Sequence, residues 1–243
     1  MESGKGSVMI PVYINTFNRL TTTRNLVEQV KQLPNAQPVV IDNDSDYAPL
    51  LEWYESKPCD IVKLKENLGH HAPWTSGVVD GDGAAQYVVT DCDIDIDGVP
   101  RDVLDVLASA FRWPLRTPIK SGLALRIDDL PPWQTAVIEW ESRWWKHRVH
   151  GLLDWYRAAI DTTFAMYRQG TTLRQIQDVA RTPAVRLGGD YQARHMPWYL
   201  DGENLDEENQ HYFATANESN SWKPAGRSLT AGYAGGRHAP RRV

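Results

Sequence analysis

The chain has 243 residues, 42% of them hydrophobic and 23% charged, which is enough to bury the core of one large domain or two small ones. Its formal net charge of −5 argues against a surface built throughout to bind a polyanion, and its two cysteines exclude a disulfide framework and a four-cysteine zinc site. No apolar run approaches the ~20 residues that cross a bilayer, and the polar residues 1–7 lack a signal-peptide pattern. We therefore expect a cytoplasmic protein without a membrane span.

Strands and helices alternate through the first half of the chain, where β-branched apolar runs are followed by apolar residues at helical spacing. After Pro100, for example, Val103, Val106, Leu107 and Phe111 fall on one helix face. We predict strands at 8–14, 37–41, 60–64 and 86–90, and helices ending at residue 32, at 49–56, at 73–79 and after residue 100. This alternation is typical of an α/β fold with a mostly parallel central sheet flanked by helices.

The second half is less regular and has no linker that would separate a second domain. Strands are predicted at 120–127, 160–168 and 184–187, with a partly helical segment at 134–150. We expect these strands to complete the first half's sheet within a single Rossmann-like domain, residues 1–225, followed by a Gly/Arg-rich tail at 226–243. Tryptophans concentrate in the second half, where they can form core or line a ligand groove: Trp133, Trp140, Trp144, Trp145 and Trp155.

The sequence Asp91-Cys92-Asp93 directly follows the apolar run 87–90. Two carboxylates at the end of a buried strand repel each other and lose hydration, and a hard divalent cation relieves both costs. A lone Asp-x-Asp often does no more than begin a turn. Here the position matters, because ligands of open α/β sheets bind beyond the carboxyl ends of the strands.

Polar groups follow the other three strands of the first half in the same way. They are Thr16-Phe17-Asn18-Arg19, Asp42-Asn43-Asp44-Ser45 and Asn67-Leu68-Gly69. No Gly-x-Gly-x-x-Gly and no Gly-x-x-x-x-Gly-Lys loop follows the first strand, which argues against dinucleotide-binding and P-loop proteins. The sequence therefore predicts one ligand site at this edge of the sheet.

The stretches 11–19, 40–45, 66–69 and 90–95 resemble the nucleotide-sugar glycosyltransferases of the GT-A fold, particularly the family 2-like group. The resemblance implies a donor half at about 1–100 and an acceptor half at about 101–225. It also implies a Mn²⁺ or Mg²⁺ ion held by Asp91, Asp93 and a late histidine, for which His195 in Arg194-His195-Met196-Pro197-Trp198-Tyr199 is the candidate. Nucleotide-sugar contacts are expected from Thr16, Asn18, Arg19, Asp42, Asn43, Asn67, Gly69 and Asp91, with Trp74 as a stacking surface.

The catalytic base is open, because the Glu-Asp pair usual in family 2 enzymes is not evident in its usual form. An inverting transfer needs a carboxylate that takes the proton of the acceptor hydroxyl. The candidates are Glu141, whose aromatic surroundings would raise its pKa, Asp161, a charge on the predicted strand at 160–168, and Asp129, together with Asp128 and Glu139.

These observations predict a metal-dependent, inverting transferase that moves a sugar from a nucleotide sugar, most simply a UDP-sugar, to a hydroxyl. The acceptor is expected to be a glycan, a small molecule, a protein or hydroxymethylated DNA. Two alternatives remain: a nucleotidyltransferase, although its glycine-rich basic loop is missing, and a non-catalytic sugar-nucleotide or glycan-binding module, which would not need the acidic pair.

Overall fold

The computed structural model describes residues 9–81, 83–114, 117–149, 151, 153–178, 182–217 and 222–231. Its strands in chain order are β1 (Ile10–Thr16), β2 (Ala36–Asp42), β3 (Asp60–Lys63), β4 (Gln86–Asp91), β5 (Ile94–Asp95), β6 (Lys120–Leu125), β7 (Arg148–Val149), β8 (Trp155–Arg157), β9 (Ala165–Arg168), β10 (Ala184–His195), β11 (Trp222–Ala225) and β12 (Ser228–Ala231). Its α-helices are α1 (Leu20–Lys31), α2 (Ala48–Glu55), α3 (Ala72–Thr75), α4 (Val103–Ser109), α5 (Thr135–Ser142), α6 (Leu173–Gln177) and α7 (Glu207–Thr215). Single turns of 3₁₀-helix lie at Gly69–His71, Val78–Asp80, Ala110–Arg112, Arg143–Trp145 and Met196–Tyr199.

Strands β1 to β10 form one ten-stranded sheet in the described part of the chain, in the order β3-β2-β1-β4-β9-β6-β10-β8-β7, with β5 paired to β10. The pairings of β3, β2, β1 and β4 are parallel, and β6 pairs in parallel with β10. Only β5, β8 and β9 of these strands run the opposite way. The prediction of one mostly parallel α/β sheet, completed by the second half, is confirmed.

Helices cover both faces of the sheet. Helices α1, α2, α4 and α5 bury Leu26, Leu50, Leu107 and Val137 in the larger core cluster on one face. Helices α3 and α6 bury Trp74 and Ile176 in a smaller cluster on the other face. Since both faces are covered, ligands can approach the sheet only at its edges and strand ends.

Several predicted boundaries were wrong, each for a local reason. The predicted helix at 73–79 ends at Thr75, because Gly77 adopts a left-handed backbone with φ 76°. The predicted strand at 160–168 is a strand only from Ala165. Before Ala165 the chain leaves the ladder: the Ile160 carbonyl accepts a hydrogen bond from the Lys120 ammonium, and the Thr162 carbonyl accepts one from Asp91 N–H. Ile160, Thr162 and Phe164 are all buried, which is why this segment has the sequence pattern of a strand.

Strand β10 is much longer than the predicted segment at 184–187. Its pairing with β6 shifts between Leu187 and Gln192, where Gly189 has φ 65°, and then continues to Ala193, after which Arg194 and His195 pair with β5. Glycines normally indicate a strand end, but here they allow a bulge. A Cβ on Gly188 would lie 2.9 Å from the ring of Trp145, so this position accepts only glycine without rearrangement.

The C-terminal residues of the described chain form a hairpin of β11 and β12. The predicted boundary between residues 225 and 226 falls inside its turn, so the division of the chain into domain and tail stays a prediction. Residues 232–243, with Arg237, His238, Arg241 and Arg242, lie outside the described residues. In the part of the chain that the structure describes, no helix has both the length and the apolarity needed to cross a membrane.

Candidate active site

The acidic pair lies at the carboxyl end of β4, where the chain turns before β5. The Asp91 carboxylate accepts a hydrogen bond from Thr162 Oγ1 at 2.8 Å, and its backbone N–H donates to the Thr162 carbonyl at 3.0 Å. The Asp93 carboxylate faces a guanidinium and an imidazole: its Oδ2 is 3.9 Å from Arg19 Nε, and its Oδ1 is 3.4 Å from His195 Nε2. The two carboxylates therefore have different environments.

This difference separates their pKa values. Burial, and then the charge of Asp93, raises the pKa of Asp91 well above its usual value. Burial also acts to raise the pKa of Asp93, but His195 and Arg19 together outweigh it, so that pKa is lower than usual. Asp93 is thus the more acidic member of the pair, and a further cation at the site would lower the pKa of Asp91.

His195 reaches Asp93 because β10 pairs with β5. His195 lies opposite Ile94 in this antiparallel pairing, and the following residue, Met196, donates its N–H to the Asp93 carbonyl at 2.8 Å. The imidazole packs edge-on against Trp198, with ring centres 4.8 Å apart. The structure therefore brings His195 next to Asp93, although about a hundred residues separate them in the sequence.

Part of this cluster fits the coordination shell of a divalent metal ion. No set of three His, Cys, Asp or Glu side chains converges on one point among the described residues. Two ligand atoms that are each about 2.1 Å from one ion can lie as far apart as Asp93 Oδ1 and His195 Nε2, which are 3.4 Å from each other. Asp93 Oδ1 is also buried without a hydrogen-bond donor. Asp93 and His195 therefore fit two positions of a metal shell, while Asp91 is bound to Thr162.

The loop after β1 is shaped by its own polar side chains. The hydroxyls of Thr16 and Thr23 are 3.3 Å apart in the interior. Asn18 has a left-handed backbone with φ 50°, and its Oδ1 accepts hydrogen bonds from the N–H groups of Asp46 and Tyr47. Its Nδ2 donates to Asp46 Oδ1 at 2.7 Å. Thr16 and Asn18 thus position the loop, and their predicted nucleotide contacts stay predictions.

Arg19 is a buried cation with only 3% of its surface exposed. Its guanidinium lies 3.7 Å from the ring centre of Tyr212, and its Nη1 donates to Asn209 Oδ1 at 3.1 Å. Both partners belong to helix α7, which lies across the loops expected to hold the nucleotide. Arg19 therefore links this helix to Asp93.

The ends of β2 and β3 are joined by amide side chains. Asn43 Nδ2 donates to Asn67 Oδ1 and to the Gly69 carbonyl, both at 3.0 Å, and Asn15 Nδ2 donates to the same carbonyl at 3.2 Å. Gly69 has φ 72°, a conformation that suits glycine, and this directs its carbonyl to both amides. The predicted donor residues Asn43, Asn67 and Gly69 are thus brought together.

Asp42 ends β2 and begins a turn, since its Oδ1 accepts a hydrogen bond from Ser45 N–H at 3.3 Å. Burial raises the pKa of Asp42. Trp74 is enclosed in the smaller core cluster, where its Nε1 donates to the Tyr87 hydroxyl at 3.1 Å and its ring packs edge-on against Tyr167. Its indole therefore belongs to the core that packs against β4 and β9.

The base candidates fall in three places. Asp161 is exposed and precedes the Thr162 that binds Asp91, and its charge contributes to the raised pKa of Asp91. Glu141 is 2% exposed and forms a buried ion pair with Arg186. Asp129 accepts hydrogen bonds from Arg194 Nε and the Tyr199 hydroxyl, and these outweigh its burial and lower its pKa. Asp161 is the candidate that the structure brings to the acidic pair.

Comparisons with known proteins give likeness in structure but not in sequence. No protein-family model and no curated protein matches the chain. A crystal structure of GalNAc-T7 with UDP, GalNAc and Mn²⁺ superposes on 79% of the chain with a TM-score of 0.51 at 11% identity. The chain has the GT-A fold of glycosyltransferases.

The chain spans only part of that neighbour, 44% of its length. Staphylococcus aureus TarS superposes on 66% of the chain and 28% of its own, with a TM-score of 0.42 at 15% identity. A 4-diphosphocytidyl-2C-methyl-D-erythritol synthase superposes on 76% of the chain and 91% of its own, with a TM-score of 0.43 at 11% identity. The likeness to GalNAc-T7 confirms the predicted GT-A fold as a fold.

Sequence reasoning missed several residues around the site. Arg186, the partner of Glu141, and Lys120, which binds the Ile160 carbonyl, lie on strands β10 and β6 in apolar surroundings. The residues of α7 that hold Arg19 follow the acidic stretch 201–208, which gives no indication of a contact with the loop after the first strand. Only a buried cation inside a predicted strand, as at Lys120 and Arg186, was a signal that could have been used.

Proposed function

We propose that the protein is a metal-dependent glycosyltransferase that moves a sugar from a nucleoside diphosphate sugar to a hydroxyl group. The observation that carries this proposal is the pairing of Asp93 with His195 beside Asp91, at the carboxyl edge of a GT-A sheet. The buried Oδ1 of Asp93 without a donor supports a cation at this position. The predicted family 2 likeness and the inverting outcome are parts of this proposal.

In this proposal Asp93 and His195 hold a Mn²⁺ or Mg²⁺ ion. The ion, when bound, would stabilise the charge that develops on the departing diphosphate as a Lewis acid does. Both metals prefer to retain oxygen ligands from substrate and water, which fits a shell with two protein ligands. Arg19, held next to Asp93 by α7, adds a fixed positive charge on the same side.

The transfer breaks the bond between the sugar carbon and the phosphate oxygen, whose electron pair leaves with the nucleoside diphosphate. A new bond forms between that carbon and the acceptor oxygen, through an oxocarbenium-like state. The acceptor proton passes to a carboxylate, and we assign this role to Asp161. Glu141 is engaged with Arg186, and the lowered pKa of Asp129 makes it a weaker base.

We assign the nucleoside to the loops at the ends of β1, β2 and β3. Asn43, Asn67 and Gly69 are already in contact there, and Asp42 is the last residue of β2, directly before Asn43. An ionised carboxylate only accepts hydrogen bonds, so Asp42 suits the N–H of uracil. This supports a UDP-sugar as the donor.

The test is release of nucleoside diphosphate from a panel of nucleotide sugars, with Mn²⁺, Mg²⁺ or a chelator. We expect metal-dependent release of UDP, abolished by Asp93→Asn and retained by Asp97→Asn, an exposed residue four positions further on, beyond β5. Full activity of Asp93→Asn in chelator would contradict the metal role. Release of pyrophosphate from a nucleoside triphosphate would instead indicate a nucleotidyltransferase, and binding without turnover would indicate a non-catalytic module.

A further inference from the structure

The last turn of α5 and the residues after it carry indole rings and cations side by side on the surface. The Arg143 guanidinium lies 3.7 Å from the ring centre of Trp140 and 5.8 Å from that of Trp144. Lys146, His147 and Arg148 follow and are exposed. We call Trp140, Arg143, Trp144, Lys146 and Arg148 the Trp–Arg surface.

This surface is locally basic on a chain with a net charge of −5. Residues 142–149 contain no acidic side chain. Three acids lie near: Glu139 is exposed one turn earlier, Glu141 is buried against Arg186, and Asp154 pairs with Arg148. The last pair is solvent-exposed and therefore weak, so Arg148 remains available to a polyanion.

The Trp–Arg surface is connected to the candidate active site through β10. The guanidinium of Arg186 lies 5.4 Å from the ring centre of Trp144 and forms the buried ion pair with Glu141. Arg186 lies within β10, and His195 is the last residue of the same strand. Contacts therefore run from Glu141 through Arg186 to Trp144, and β10 joins this cluster to His195 and Asp93.

We propose that the Trp–Arg surface binds the acceptor, and that the acceptor is a single-stranded polynucleotide. Bases stack on aromatic rings whatever their sequence, while lysine and arginine neutralise the phosphates between them. A neutral glycan would leave the cations unused, and a polyanion without bases would leave the indoles unused. This inference rests on the proposed glycosyl transfer, for which it names the acceptor class.

A hydroxyl on the base, such as that of a hydroxymethylated pyrimidine, would receive the sugar. Its oxygen forms the new bond to the sugar carbon, its proton passes to Asp161, and the nucleoside diphosphate leaves with the electron pair of the broken bond. A base inside a duplex would first have to leave the stack, so a single strand is the better substrate.

The charge contribution can be tested with a labelled single-stranded oligonucleotide, whose binding is measured by fluorescence anisotropy at several salt concentrations. Each phosphate contact contributes about 0.7 to the slope of log K against log salt for single strands. Lys146→Gln/Arg148→Gln should reduce that slope by about 1.4. The control Arg24→Gln/Lys31→Gln removes the same two charges from α1 and should leave the slope unchanged. Equal slopes for all three proteins, or no binding by the wild type at low salt, would overturn the proposal.

The stacking contribution can be tested at Trp144, with folding checked by thermal unfolding. Trp144→Leu should weaken oligonucleotide binding about five- to a hundredfold, whereas Trp144→Phe should stay within about threefold. Heparin, a polyanion without bases, should bind weakly and not distinguish the two variants. If heparin binds as tightly as the oligonucleotide, the surface recognises charge alone and the proposal fails.

Calorimetry with UDP and Mn²⁺ on the same variants should show unchanged donor binding. If the wild type does not bind UDP in the presence of Mn²⁺, the result contradicts the proposed function instead.

Discussion

The Arg19 guanidinium lies 3.7 Å from the ring centre of Tyr212, and its Nε lies 3.9 Å from Asp93 Oδ2. One buried cation therefore connects helix α7 with the acidic pair at the end of β4. Burying a charge without partners costs free energy. Here the interactions of Arg19 with a carboxylate, an amide oxygen and an aromatic face offset that cost. The contacts fix the position of Arg19 before any ligand binds.

The first prediction concerns Tyr212. Tyr212→Leu should lower the free energy of unfolding by about 2 kcal/mol, because a desolvated cation–π contact is lost. Tyr212→Phe keeps the aromatic face and should cost less than half as much. Urea unfolding at neutral pH measures both. Equal losses for the two variants would show that the ring face over Arg19 contributes little.

The second prediction concerns Glu208, which replaces a missing helix cap. Arg19 precedes α1 and offers no capping side chain, but the Thr21 N–H donates to both carboxylate oxygens of Glu208 at 3.1 Å. Glu208→Ala should therefore destabilise the protein by about 1–2 kcal/mol, as loss of a cap and of a negative charge at a helix N-terminus does. Glu207→Ala, one residue earlier and exposed, should change stability by less than about 0.5 kcal/mol. Chemical unfolding compares them.

The parallel half of the fold could be predicted from local sequence, whereas contacts with late segments could not. Asn43, Gly69 and Asp91 each follow an apolar strand, and parallel strands place their carboxyl ends together, so their proximity follows from the pattern. Nothing local relates Glu208 to Thr21 or Arg186 to Glu141, because these pairs depend on how α7 and β10 pack. His195 was found through the resemblance.

The irregular strands of the second half show a different limit. Residues 160–164 have a strand-like pattern, but the Ile160 carbonyl binds the Lys120 ammonium and the Thr162 carbonyl binds the Asp91 N–H, so β9 does not extend through them. Gly122 explains how the chains approach so closely, since a Cβ there would lie 2.8 Å from Ala165 Cβ. Such packing cannot be deduced from periodicity alone.

The third prediction concerns the pH dependence of stability at Lys120. Burial lowers the pKa of this 1% exposed lysine to about 8, against 10.5 in an unfolded chain. Between those pH values the unfolded chain binds the additional proton, so stability rises with pH in this window, and below it the full penalty for the buried charge applies. Asp161 opposes the shift, and Arg186 adds to it.

Lys120→Met should therefore be most stabilised relative to the wild type near pH 7, and this difference in stability should disappear between about pH 8 and 10.5. One pKa unit corresponds to roughly 1.4 kcal/mol, so the change across the window is at most about 3.5 kcal/mol. Loss of the hydrogen bond to the Ile160 carbonyl offsets part of the gain at every pH. Thermal unfolding at pH 7, 9 and 10.5 gives the difference, and a difference that does not vary with pH would contradict the lowered pKa.

The fourth prediction concerns Asp42 and the choice of nucleoside. Asp42→Asn keeps an oxygen for the Ser45 N–H, so the turn after β2 should persist, but it places an NH₂ donor where the second carboxylate oxygen was. A uracil N–H would then have no acceptor. A hydrogen bond to a buried charged group is worth about 1.5–3 kcal/mol, so UDP binding should weaken about ten- to a hundredfold. CDP binding should change much less, because cytosine has an acceptor at that ring position.

Calorimetry with UDP, CDP and GDP on the wild type and on Asp42→Asn measures this preference. Asp44→Asn is the matched control, because Asp44 is exposed two residues along the same turn and its left-handed backbone, φ 67°, tolerates asparagine. It removes the same charge from the same loop and should leave all three affinities unchanged. If Asp42→Asn weakens the three diphosphates equally, or if it lowers the thermal stability of the free protein, then Asp42 serves the turn and the uridine preference is wrong.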